Sequence, residues 1–387
     1  MPFTPFRFVP VIAIFLVLPL CAVEPPEVPG GFVIEKICDG LDAAVSMDLA
    51  PDGRVFIAEQ LGTVRVVENN KLLPEPFVRL EVDDFWERGV VGVAVHPQFP
   101  KEPFVYVHYV RKTPFTHHTV SRFTAEAPAF NTAKAGSELV MAEGEDQSLK
   151  LGKYPGAHQG GAMRFGADGK LYVTVGEHNV REPAQSLESL HGKLLRFNAD
   201  GSIPSDNPFF QKTSGPCRAI FALGLRNPFG LAVDRATGRM WINDVGQELF
   251  EEIDEALPGA NYGWPEAEAL VGHRAGFEKP VHFYNRALGT CIAGGVFHRR
   301  GTKGGSQFPE NYEGKYFFAD FAAGWLRVLD PAQPASSEPF AKRIPNPVDL
   351  ACTSDGALLV LARNAWVSDA KLKRNSGELL RIRHAGK

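Results

Sequence analysis

The chain has 387 residues, of which 44% are hydrophobic and 22% charged, with 38 Gly, 30 Pro and a formal net charge of −4. An apolar fraction of that size excludes a disordered chain, and the glycines follow no Gly-X-Y period, which excludes a collagen. The prolines leave no heptad run, and an acidic chain with no basic run longer than Arg299-Arg300 has neither a nucleic-acid-binding face nor a hold on an anionic membrane.

In chain order, Met1 to Arg7 carries one positive charge and Phe8 to Leu20 is apolar throughout. That run is too short to span a bilayer, so residues 1–22 read as an export signal with Ala22 at the −1 position of the cleavage site. Cys21 offers a lipid-anchor alternative, although Leu20 before it is large for that signal. The expected compartment is periplasmic or extracellular, with no integral membrane segment after cleavage. A Pro-rich linker over 23–30 follows, and 31–387 reads as one domain.

Six segments within that domain share a pattern, a turn leading into a short alternating or apolar strand. They are Arg54–Ala58, Phe104–Tyr109, Lys170–Val175, Arg239–Asn243, Lys315–Ala319 and Ala357–Leu361. Five follow a turn with Gly, and Phe104–Tyr109 follows Lys-Glu-Pro. Their spacing averages about 60 residues, the mark of a unit that buries its face only by stacking on its neighbours. Six such units predict an all-β protein, a six-bladed β-propeller. The longest insertions, over Ala125–Gly156, Glu177–Cys217 and Tyr262–Gly289, are expected to shape a site. Ala184–Leu195 is the best helical segment.

Four cysteines remain after the signal, and export favours disulfides. Cys217 with Cys291 and Cys38 with Cys352 are the pairings considered. There is no CxxC pair for zinc, no CxxCH for haem, and no GxGxxG after a strand for a nicotinamide or flavin.

Several ordered stretches carry more than fold. Glu87-Arg88-Gly89 leads through Val90–Ala94 to His96-Pro97-Gln98-Phe99. His158-Gln159-Gly160-Gly161 precedes Phe165-Gly166, and His191-Gly192-Lys193 leads to Asp206-Asn207-Pro208-Phe209. Gly224-Leu225-Arg226-Asn227-Pro228 and Asn261-Tyr262-Gly263-Trp264-Pro265 follow. In order and spacing, from about Gly31 to Arg383, the chain resembles the soluble quinoprotein glucose/sorbosone dehydrogenases. The resemblance implies a six-bladed propeller that oxidises the anomeric hydroxyl of an aldose. It also implies pyrroloquinoline quinone (PQQ) and calcium as cofactors, with a separate electron acceptor.

Carried over residue by residue, the resemblance makes His158 the general base, since imidazole accepts a proton near neutral pH. Glu177 stands where the family has aspartate and is expected to orient the base or contact the sugar. Arg226 and Asn227 match the cofactor-contacting pair, Arg226 stabilising charge on the quinone, and Gln60 matches a further contact. Gly246 and Gln247 match the carbonyl ligands of a catalytic calcium. Glu252 and Tyr262 match a second calcium site, within the acidic run Glu248, Glu251, Glu252, Asp254 and Glu255.

The chain departs from the pattern where well-known members place two arginines and a lysine around the quinone. Asn346–Leu350 has no arginine, and Asp320–Trp325 has no lysine. Lys342, Arg343 and Lys303 are the nearby cations that would substitute. Two other functions stay open. One is a non-catalytic ligand-binding propeller, a role the family includes in animals. The other is a calcium-dependent lactone hydrolase, which needs carboxylates from several blades around an ion.

Overall fold

The structure is a computed structural model, and it describes residues 24–147, 156–301, 307–369, 371 and 373–385. The export signal expected over 1–22, and Lys303, lie outside the described residues.

Six antiparallel sheets form the blades of a propeller. Their inner strands are Ala44–Leu49, Val90–Val95, Gly160–Phe165, Pro228–Val233, Ile292–Phe297 and Pro347–Cys352, in blades one to six. Consecutive inner strands pack on one another around the ring. The six patterned segments of the sequence are the second strands, Val55–Glu59, Phe104–Arg111, Leu171–Val175, Met240–Asp244, Tyr316–Asp320 and Leu358–Ala362. These are buried on both faces, so their apolar character is continuous and easy to read.

The ring closes with strands from both ends of the chain. The N-terminal strand Phe32–Leu41 pairs with the C-terminal strand Gly377–His384, so blade six is built from both. The expected insertions partly continue the blades. Leu139–Glu143 is the outer strand of blade two, Lys193–Phe197 the third strand of blade three, and His282–Asn285 the outer strand of blade four. The helix expected over Ala184–Leu195 is not formed. A 3-10 turn covers Glu182–Gln185, Gly192 takes φ +69°, and Lys193 already begins a strand. No α-helix occurs among the described residues.

The centre is narrow because glycine lets backbones meet. A Cβ on Gly92 would lie 1.9 Å from the Gly161 carbonyl oxygen, and one on Gly294 would lie 2.4 Å from Asp349 Cα. Every inner strand also breaks register with its second strand near its start, as at Val90/Gly92, Pro228/Gly230 and Pro347/Asp349. Six bulges at one end of the ring turn the strand starts toward the axis there.

At the centre a polar knot ties the blades. Asp349 Oδ2 accepts the Met47 amide at 2.9 Å and the Ser46 hydroxyl at 3.3 Å, and Arg164 Nη2 donates to both Asp349 oxygens at 3.0 Å. Blades one, three and six are thereby joined. Asp48 extends the knot to blade two by accepting the Val95 amide at 2.8 Å.

The four cysteines are free, which overturns both pairings considered. Cys352 instead lies against the Arg299 carbonyl, at 3.2 Å.

Removing one partner of a buried ion pair strands the other charge, which costs about 3 kcal/mol or more. Asp349→Ala is expected to lower stability by about that amount in urea unfolding. Replacing both partners, as Arg164→Met with Asp349→Leu, should cost less. A neutral Asp349→Ala would show that the knot does not hold the ring.

Candidate active site

The bulged ends of the inner strands carry the expected residues. His158 lies just before the inner strand of blade three, and Glu177 just after its second strand. The register Gly160↔Val175 brings these two hairpin ends together. His158 holds φ +57°, a left-handed conformation unusual for a side chain of this size. Its backbone amide donates to Glu87 Oε2 at 2.7 Å, which helps hold that conformation.

His158 Nδ1 donates to Glu177 Oε1, and Arg226 Nη2 lies 2.9 Å from His158 Nε2. A guanidinium only donates, so Nε2 carries the lone pair and the proton is on Nδ1. The imidazole is therefore neutral, in the tautomer a base needs. Glu177 is fully buried and also accepts the Asn179 amide at 3.1 Å and the Arg181 amide. Burial alone would raise its carboxyl. The bonds from His158 and Arg181 outweigh burial and hold it below the ordinary range.

Arg226 and Asn227 sit on the turn entering blade four. Asp244, at the end of that blade's second strand, accepts the Arg226 amide at 2.9 Å and the Asn227 amide at 2.7 Å. Arg226 Nη1 donates to the Val245 carbonyl at 2.7 Å, and its guanidinium lies 5.4 Å from the Trp264 ring centre. Asn227 Oδ1 accepts the Gly160 amide at 2.9 Å, joining blades three and four beside the base.

A cleft of about 600 Å³, open solvent at its mouth included, lies at this end of the axis, lined in part by Gln60, Asn227, Phe229, Phe321, Val348 and Arg363. Val348 and Phe321 stand in the two stretches that lack cations, so those walls are apolar. Of the expected substitutes, Arg343 and Lys342 do not line it. Arg343 pairs with Glu24 and Glu27 and bonds the Pro25 carbonyl, and Lys342 pairs with Glu27. Gln60 is held by protein on both sides, its Nε2 donating to the Trp86 carbonyl and its Oε1 accepting from Arg363 Nη2.

Arg363 and Glu87 are cavity residues that sequence reasoning did not single out. A signal existed for Arg363. Gln60, Glu177 and Asp244 end or follow the second strands of blades one, three and four, and Arg363 follows that of blade six. Aligning the repeats on these strand ends would have flagged it.

The metal residues also come together. Gly246, Glu252 and Tyr262 line one small void with Asp244, Arg226 and Glu268. Gln247 is adjacent, and Glu268 Oε1 accepts four successive amides, from Gln247 to Phe250, at 2.9 to 3.1 Å. The acidic run is not one solvated face, since Glu251 and Asp254 are buried.

Neither oxygen of buried Asp254 has a hydrogen-bond partner. Burial, then Asp244, pushes its carboxyl well above the ordinary range. Burial, then Asp254 and Asp244, does the same to Glu252. Burial raises Asp244 to about 6 and Glu251 to about 8, the latter offset in part by Arg286. Oxygen donors with surplus negative charge fit calcium. Among the described residues no three carboxylate, imidazole or thiolate groups form a metal cluster, so backbone carbonyls would have to complete the shell.

Carboxyls raised by folding keep protons that the unfolded chain releases. Calcium-free stability should therefore fall as pH climbs from about 4 through 6 and toward 8, and calcium should restore it more at pH 8 than at pH 5. Asp254→Asn is expected to melt no lower than wild type without calcium and to lose most of the calcium-induced shift. An unchanged shift in a thermal melt with and without chelator would remove Asp254 from the site.

The chain matches known proteins over most of its length. The family model for Glucose / Sorbosone dehydrogenase matches residues 41–374. The aldose sugar dehydrogenase YliI of Escherichia coli K12 is 29% identical over 69% of this chain and 69% of its own length. Quinoprotein glucose dehydrogenase B of Acinetobacter calcoaceticus is 27% identical over 56% of this chain and 48% of its own. Among solved structures, a Thermus thermophilus oxidoreductase (glucose dehydrogenase) superposes with a TM-score of 0.75 at 27% identity, covering 91% of this chain and 99% of that one. The chain belongs to the glucose/sorbosone dehydrogenase family.

Proposed function

We propose that this protein oxidises the anomeric hydroxyl of an aldose to its lactone, with His158 as general base. The observation that carries this reading is the hydrogen-bond order Glu177, His158, Arg226, which leaves a neutral imidazole with its lone pair at Nε2.

His158 Nε2 takes the hydroxyl proton. Glu177 stabilises the imidazolium that results, because its carboxylate already accepts the Nδ1 proton. Arg226 must share or release Nε2 as substrate arrives, and its guanidinium then faces the negative charge that develops on the acceptor. PQQ held in the adjacent cavity would supply the two-electron acceptor for hydride leaving C1. Asn227, Gln60 and Arg363 offer polar contacts there, and Val348, Phe229 and Phe321 offer apolar faces for a planar ring.

Calcium beside Gly246, Gln247, Glu252 and Tyr262 would stiffen the loop that carries the Arg226 support. The electrons then pass to an external acceptor, the second partner of the reaction. The sugar is the small-molecule partner, and the export signal expected over 1–22 supports a place in the periplasm or outside the cell. Lactone hydrolysis fits less well, since the cavity walls are largely apolar rather than ringed by carboxylates.

His158→Gln should lower dye-linked aldose turnover by about 1,000-fold and leave PQQ affinity within about threefold of wild type. Glu177→Gln should cost about 100-fold. Turnover retained in His158→Gln would remove the base. Wild-type PQQ binding with no turnover of any aldose would point to a ligand-binding propeller instead.

A further inference from the structure

We propose that Lys193 is a positioning residue for the proton-taking site. Its buried ammonium ties shut the loop over 178–192, on which both arms of the Glu177, His158, Arg226 order bear. This rests on the oxidation proposed above and gives a role to the His191-Gly192-Lys193 stretch, which that mechanism leaves unused.

Lys193 begins the third strand of blade three and is fully buried. Burying an ammonium is costly unless its donors are met. All three are met here. Nζ donates to the carbonyls of Pro183 at 2.7 Å, Ala184 at 3.0 Å and His191 at 2.5 Å. Pro183 and Ala184 lie on the 3-10 turn Glu182–Gln185, and His191 stands near the end of the loop, so one charge draws two separate stretches together. Charge-assisted bonds are roughly twice as strong as neutral ones, which suits this gathering of carbonyls.

The loop serves both ends of the hydrogen-bond order. Its first residues supply the Asn179 and Arg181 amides that Glu177 accepts. Its later residues hold the turn that carries Arg226. The Ala184 carbonyl, already held by Lys193, accepts the Gly224 amide at 2.9 Å, and the Gly192 carbonyl accepts the Leu225 amide at 3.2 Å. A Cβ on Gly192 would lie 2.6 Å from the Leu225 carbonyl oxygen, so loop and turn meet backbone to backbone. Gln185 Nε2 donates to the Trp264 carbonyl at 2.7 Å, and the Trp264 ring faces the Arg226 guanidinium. A shift of the loop therefore moves the carboxylate and the guanidinium relative to each other, with the imidazole between them.

Few charges face Lys193. Its strand partners Val175 and Leu223 are apolar, Glu182 and Glu188 on the loop are exposed, and Glu145 and Cys217 are the titratable groups that act on it. Burial lowers its pKa to about 7, opposed by Glu145 and then Cys217. The tie thus loses its charge and one donor as pH rises above about 7.

The test reads His158 itself, through a long-range proton–nitrogen spectrum of its imidazole, and so does not depend on turnover. Lys193→Met removes the donors at nearly unchanged length. At about pH 7 it should show the His158 proton shared between Nδ1 and Nε2, where the parent holds it on Nδ1. Aldose kcat should fall about 50-fold with KM within about threefold of the parent. A merely structural lysine would lower the melting temperature and leave the His158 signals in place. Unchanged His158 signals in folded Lys193→Met would overturn the positioning role, whatever the turnover. If Lys193→Met does not fold, the parent is read from about pH 7 to about pH 9 instead. Movement toward a shared proton supports the role, and steady signals overturn it. A parent that turns over no aldose, with the His158 signals still moved in Lys193→Met, would overturn the oxidation and leave the positioning role standing.

Discussion

Everything the site can do depends on one buried bond, from His158 Nδ1 to Glu177. It fixes where the imidazole proton sits, and so where the lone pair points. The carboxylate tolerates full burial because three donors converge on it, His158 and the amides of Asn179 and Arg181. Arg226 then meets a lone pair rather than a proton. Without Glu177 ionised, the guanidinium and the imidazole would compete as donors and the constellation would come apart.

The scaffold's contribution is to bring strand ends together at a narrow axis. Glycines let the inner strands touch, and six bulges at one end aim the chain inward. Polar side chains therefore collect there from several blades, with Gln60, Glu177, Asp244 and Arg363 each at or just past the end of a second strand. Nearer the middle the same closeness demands a knot of charges, with Asp349 serving three blades. This explains the contrast between neighbours. Val348 faces the cavity, while Asp349, one residue on, is committed to the knot.

The second strands were legible because they are buried on both faces and follow turns. Outer strands such as Leu139–Glu143 are half solvated and short, and they passed as insertion. The closing strand Phe32–Leu41 gave no sign of its partner, since pairing across the ends of the chain leaves no local pattern. His158, Glu177, Arg226 and Asn227 were readable because the stretches that carry them resemble a family whose site residues could be carried over. Arg363 was not, because an arginine after a strand resembles any surface cation until the ring closes over it. The helix expected over Ala184–Leu195 failed because Lys193 is drawn into a strand, where it donates to the carbonyls of Pro183, Ala184 and His191. The cysteine pairings failed because parity and export say nothing about distance.

The central claim is a proton position, and it can be observed directly. A long-range proton–nitrogen correlation spectrum of the imidazole nitrogens at neutral pH, with the His158 signals assigned by difference from a His158→Gln sample, reports the tautomer. The account predicts a neutral His158 protonated at Nδ1 with Nε2 bare. A proton on Nε2, alone or together with Nδ1, would contradict it.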